Sequence, residues 1–64
     1  MAVNLRSVRE HKLMTQAELA AKSGVTQSTI SHLEQGRPAR FVTIRKLARA
    51  LDVDPRELLA GAPR

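Results

Sequence analysis

Cysteine, tryptophan and tyrosine are absent from the chain, and phenylalanine occurs once. Without cysteine there is no disulfide framework, no thiolate zinc site and no thiol nucleophile, and a cytoplasmic setting is the easier expectation. One phenylalanine and no tryptophan or tyrosine argue against a platform on which the bases of a single strand stack. Long apolar runs are missing too: the opening MAVNLRSVRE holds nothing of the length a signal peptide or membrane span requires. So is strict apolar–polar alternation, the mark of a half-buried strand. There is no glycine-rich phosphate loop and no Ser/His/Asp arrangement. His11 and His32 stand 21 residues apart without a third ligand at metal spacing, so neither metal nor cofactor is expected. Glu10, Glu18, Glu34 and Glu57 are each explained by a cap or a solvated helix face, and no enzyme is expected.

What is present is a single small domain spanning residues 1–64, expected to be a complete protein because it starts at Met1 and carries no tag. A chain of this size buries only about 60% of its unfolded surface, which leaves room for one core and none for a deep substrate cleft. The charge is lopsided. Eleven Lys and Arg against six Asp and Glu give +5, and Arg37, Arg40, Arg45, Lys46 and Arg49 fall within thirteen residues that contain no acid. Such a block favours a polyanionic partner over a merely solvated basic face.

Apolar spacing is helical throughout. It predicts five helices, at about 2–12, 16–23, 27–35, 41–51 and 55–60. Leu5, Val8 and the stem of Lys12 line the first; Leu19 and Ala20 face inward on the second, Ile30 and Leu33 on the third. Phe41, Ile44, Leu47, Ala48 and Leu51 recur at helical intervals on the fourth, and Leu58 and Leu59 mark the fifth. One device announces three of the starts. Thr15 with Glu18 forms a capping box, and Met14 can staple onto Leu19. Val25 and Thr26 with Ile30 repeat cap and staple without the glutamate. Val53-Asp54-Pro55-Arg56-Glu57-Leu58 combines an aspartate cap, a proline in the first turn, a glutamate box and a staple. The start of the fourth helix is ambiguous, because Thr43 is a possible cap while Phe41 already fits the period.

Ser23-Gly24-Val25 joins the second and third helices in very few residues. Gly24 falls where the chain must turn sharply and a left-handed backbone is wanted. Ala20, four residues earlier, is small enough for a crossing helix to approach, and Ile30 and Leu33 supply the face that packs there. Counted from Gln16, alanine stands fifth, glycine ninth and isoleucine fifteenth. This is the helix-turn-helix signature.

TQAELAAKSGVTQSTISHLEQGR, followed by TIRKLARALDVDPRELL, resembles the Cro and phage-repressor (XRE-like) helix-turn-helix family over residues 3–60. The resemblance implies an all-α, compact five-helix bundle of the lambda-repressor-like type, whose third helix lies in the major groove of double-stranded DNA while the second crosses above it. It also implies transcription regulation and, for many members, homodimers. The loop GRPARF is shorter than in some phage repressors.

With Val25, Ile30 and Leu33 turned inward, Gln27, Ser28, Ser31 and His32 share the outward face of the third helix. They are the candidate base readers: a glutamine amide can meet adenine N7 and its exocyclic amine together, a serine donates or accepts, and a histidine can donate to guanine. By the resemblance, Gln16 bonds a phosphate and braces the Gln27 amide, and the free amide hydrogens of its helix start suit an anionic oxygen independently. Arg37, Arg40, Arg45 and Lys46 are the remaining phosphate candidates, which position without specifying. Arg9 and Glu34 are expected to pair, as such residues do in the family.

Leu51, Val53, Leu58 and Leu59 crowd into nine residues. The staple claims Leu58, which leaves Leu59, with Val53, for a dimer interface. A twofold dimer would set two reading helices about 34 Å apart on a near-palindromic site. The expected function is therefore a sequence-specific DNA-binding regulator, a repressor or autoregulator of bacterial or phage type, cytoplasmic and nucleoid-associated when bound. The alternative is an antitoxin or anti-repressor-like module that uses the same fold to hold a protein partner, such as a toxin or co-regulator.

Overall fold

The computed structural model describes residues 3–59. In order they form α1 (Leu5–His11), α2 (Gln16–Ser23), α3 (Gln27–Glu34), α4 (Phe41–Leu51) and α5 (Pro55–Leu58). The class is all-α, and among the described residues there is no strand.

The local signals act as the sequence suggests. At α2 the Thr15 hydroxyl accepts from the Glu18 amide at 3.0 Å, and the Thr15 amide donates to Glu18 Oε1 at 2.9 Å. At α3 the Thr26 hydroxyl accepts from the Thr29 amide at 3.2 Å. At α5 the Asp54 carboxylate takes the Arg56 amide at 2.8 Å while the Asp54 amide donates to Glu57 at 3.0 Å, with Pro55 in the first turn. Each cap contributes on the order of 1 kcal/mol. Met14, Val25 and Val53, just ahead of these three caps, are half-buried against the core, as staples require.

Among the described residues, five large side chains are withdrawn completely from solvent: Leu5, Leu19, Ile30, Leu47 and Leu58. Each comes from a different helix, so every helix places one apolar knob at a common centre. Each such burial is worth about 2 kcal/mol. Leu33, Ile44, Ala48, Ala50 and Leu51 complete the buried set.

Several expectations need correction. The first helix does not begin at residue 2; Val3 and Asn4 are non-helical, because the Asn4 amide donates to the Leu58 carbonyl at 2.6 Å and holds that segment against α5. Its end is also earlier, since Lys12 is the C-cap and is exposed rather than lining the core. α3 stops at Glu34 with Gln35 as its cap, and α5 stops at Leu58; Ala60 lies outside the described residues. Phe41 is the first residue of α4, and Arg40 precedes it without a side-chain cap. Phe41 nevertheless stays 64% exposed and Val42 51%. α4 has eleven residues against eight in α2 and four in α5. Its partners cannot cover its whole length, and the first turn is the part left open.

Candidate nucleic-acid interface

The turn between α2 and α3 rests on Gly24, at φ 77°, ψ 8°, with its amide on the Ala20 carbonyl at 3.0 Å. A side chain there would meet no atom within 4 Å. The glycine is needed for its backbone angle, not for space. Beyond the turn, Ile30 and Leu33 point into the core, and the opposite side of α3 carries Gln27, Ser28 and His32, all exposed. Among the described residues none of these three side chains is bonded to the protein, so their donors and acceptors are available. Ser31 is half-buried and accepts a long contact from Gln35 Nε2 at 3.4 Å.

A polar joint fixes this face to the rest of the fold. Arg9 of α1 grips Glu34, at the end of α3, with Nε on Oε2 at 2.6 Å and Nη2 on Oε1 at 3.0 Å. Its Nη1 donates to the Met14 carbonyl at 2.6 Å. Gln16, first residue of α2, donates from Nε2 to the same Glu34 Oε1 at 2.9 Å. The pair is nearly enclosed, with 11% of the Arg9 side chain and 6% of the Glu34 side chain exposed. Burial works to raise the Glu34 pKa, but the bonds from Arg9 and Gln16 outweigh it and hold the carboxyl below its ordinary value. The same carboxylate raises the Arg9 guanidinium.

The Arg9–Glu34 pair is as expected. The Gln16 bond is not: its amide donates to Glu34, where the resemblance gave it a phosphate and the Gln27 amide. The two residues are 18 apart and no local pattern links them. Gln16 does border the reading face, since it lines one shallow concavity of about 320 Å³ together with Ser31, Gln35 and Arg6. Arg6 was no candidate on sequence grounds. It lies in the first turn of α1 and is engaged by Glu10 at 3.2 Å.

The model of the family described as helix-turn-helix, HTH_3, matches residues 5–58. The chain belongs to the helix-turn-helix family. It is 40% identical over 57 residues to an uncharacterized HTH-type transcriptional regulator, y4dJ, of Sinorhizobium fredii, covering 88% of this chain and 74% of that protein. A second such regulator from the same organism, y4dL, is 45% identical over 51 residues, covering 78% of this chain and 26% of the relative. RghRB of Bacillus subtilis, also named as an uncharacterized HTH-type transcriptional regulator, is 38% identical over 60 residues, 91% of this chain and 43% of its own. The chain thus spans less than half of two of these relatives. Among solved structures, the restriction-modification controller protein C.AhdI from Aeromonas hydrophila superposes with a TM-score of 0.80 at 45% identity, over 84% of this chain and 83% of that one.

Around this helix-turn-helix the basic candidates separate into two groups. Arg37 and Arg40 are exposed on the segment between α3 and α4, and the Arg37 amide donates back to the His32 carbonyl at 3.2 Å. Arg45 and Lys46 sit on α4, where they share a concavity of about 720 Å³ with Lys22, Val42 and Arg49. The dimer candidates separate as well. Leu59 lines a shallow groove of about 310 Å³ with Phe41, Ile44 and Pro55, whereas Val53 lines a different one against Val8 and His11. Phe41 is the residue that sequence reasoning missed here; periodicity placed it in the core. Among the described residues no cluster of His, Asp and Glu could hold a metal ion, and no helix is long and apolar enough to cross a membrane.

Proposed function

We propose that the chain is a sequence-specific double-stranded DNA-binding transcriptional regulator, a repressor or autoregulator, that inserts α3 into the major groove. The observation that carries this is the outward side of α3. Among the described residues, Gln27, Ser28 and His32 stand exposed and unbonded on a helix whose orientation is locked by the Arg9–Glu34–Gln16 joint. Gln27 then reads an adenine edge, with Ser28, Ser31 and His32 reading beside it. Gln16, Arg37 and Arg40 contact phosphates and set the register. The site of action is the cytoplasm, on the nucleoid. Selection of bound sequences from random duplexes tests this, followed by a mobility shift on DNA upstream of the chain's own gene. Enrichment of one motif is expected; recovery of duplexes without sequence preference would overturn specific reading.

The regulator acts as a homodimer on a near-palindromic site. Support comes from the open apolar groove formed by Phe41 and Leu59, since one reading helix covers only a few base pairs and a twofold partner doubles the site. Sedimentation of the parent and of Leu59→Glu decides: the parent should dimerise and the variant should not. A parent that stays monomeric at high concentration and binds one copy per site contradicts the dimer.

A further inference from the structure

The exposed side of α4 carries a second basic feature. Val42, Arg45, Lys46 and Arg49 follow the i, i+3, i+4, i+7 spacing of one helix stripe, and Lys22 at the end of α2 closes the concavity from the other side. Among the described residues no acidic side chain lines it. Among the described residues the ion pairs are Arg6–Glu10, Arg9–Glu34 and Arg56–Asp54, and none engages these four cations. Lys22 and Arg49 lie in the last turns of their helices, where the dipole favours positive charge. That accounts for two of them. It does not account for Arg45 and Lys46, whose like-charge spacing with Arg49 works against the helix.

Among the cations the lining includes apolar surface, from Ala50 and from Val42, which is 51% exposed. A phosphate backbone offers nothing to that apolar surface, and the concavity is the size of a few side chains rather than of a duplex. Carboxylates around an apolar side chain complement both parts. We propose that the α2–α4 concavity docks an acidic peptide segment of a partner protein, its carboxylates on Lys22, Lys46 and Arg49 and an apolar residue on Val42. Gln27, Ser28, Ser31 and His32 do not line this concavity, and the proposal does not depend on what their face binds.

The probe is a short labelled peptide of glutamates around one leucine, titrated into the full chain by fluorescence anisotropy, with the glutamine version of the peptide as reference. The parent should bind the acidic peptide and not the glutamine one. The double variant Lys46→Glu/Arg49→Glu should bind about tenfold more weakly, whereas Lys12→Glu, a single charge reversal outside the concavity, should change affinity less than about twofold. Lys46→Gln/Arg49→Gln repeats the comparison without adding negative charge, and thermal melts establish that each variant is folded. Arg45 is kept intact because it also borders the Phe41–Leu59 groove. Three outcomes overturn the proposal: no binding by the parent, equal loss in Lys12→Glu, which would mean bulk charge alone, or a shallower salt dependence of duplex binding in the double variant, which would assign these cations to DNA phosphates.

Discussion

The first three helices and the last two are joined by different forces. Arg9, Gln16 and Glu34 bind α1, α2 and α3 through bonds with fixed directions, two of them the parallel contacts of a guanidinium on a carboxylate. α4 and α5 are held by Ile44, Leu47, Ala48, Leu51 and Leu58, and among their described residues the ion pair stays inside the α5 cap. Apolar burial is strong but without direction. The part of the molecule that must present side chains at fixed angles uses the directional joint. The other part relies on packing, and leaves Phe41 and Val42 uncovered.

Truncation on each side separates the two. Glu34→Ala should cost about 3 kcal/mol, because it strands a nearly buried Arg9 and frees Gln16; Leu47→Ala should cost a comparable amount, about 2–5 kcal/mol, through the cavity it leaves. Acid tells them apart. The Glu34 carboxyl is held below its ordinary value in the fold, so its contribution is fully present above the unfolded pKa and is lost as pH falls through the folded one. Urea melts over that interval should show a shallower pH dependence in Glu34→Gln than in the parent. Leu47→Ala should keep the parent's slope, since it retains Glu34 together with Glu18 and Asp54, which are also lowered by their cap bonds. Equal slopes in all three proteins would mean the joint adds orientation without stability.

On DNA the contrast lies within the reading side. Gln27→Ala should lose ~1–3 kcal/mol on the selected site and relax preference at one base pair. Arg37→Ala should weaken all duplexes alike and flatten the salt dependence by about one unit of slope. Identical losses on selected and scrambled duplexes for both would show that Gln27 does not read bases.

Two backbone positions give the smaller effects. Gly24→Val should destabilise by about 1–2 kcal/mol through its left-handed angle alone, because the space around it is open. Leu13 occupies the same region at φ 57° with 91% of its surface exposed. Leu13→Asn should therefore raise the thermal midpoint, by the equivalent of about 0.5–1 kcal/mol, since asparagine tolerates that conformation and no contact is lost. A lowered midpoint would mean that Leu13 is held by something other than the turn.

The capping boxes at Thr15 and Asp54 were legible because both partners of each bond lie within three residues. Gly24 was legible because a sharp turn between two periodic stretches leaves few other choices. The beginning of α1 was not, since Asn4 is held out of the helix by Leu58, far along the chain. Nor was the exposure of Phe41: a helical period says which residues share a side, and not how far the neighbouring helix extends. Of the reading face, the outward set on α3 followed from where Ile30 and Leu33 must go. The Gln16–Glu34 bond did not, because it depends on how three helices cross.

The bond from the Asn4 amide to the Leu58 carbonyl, at 2.6 Å, brings the two ends of the described chain together and makes the fold a closed circuit. The order of helices around that circuit matters to the packing, but the place where the circuit is cut does not. Rejoining the chain across residues 4 and 58 and opening it in the exposed segment around Arg37 and Pro38 would keep every knob of the core and the whole Arg9–Glu34–Gln16 joint. Such a permuted protein would start with α4 and end with α3, and would carry the same reading face in a new chain order.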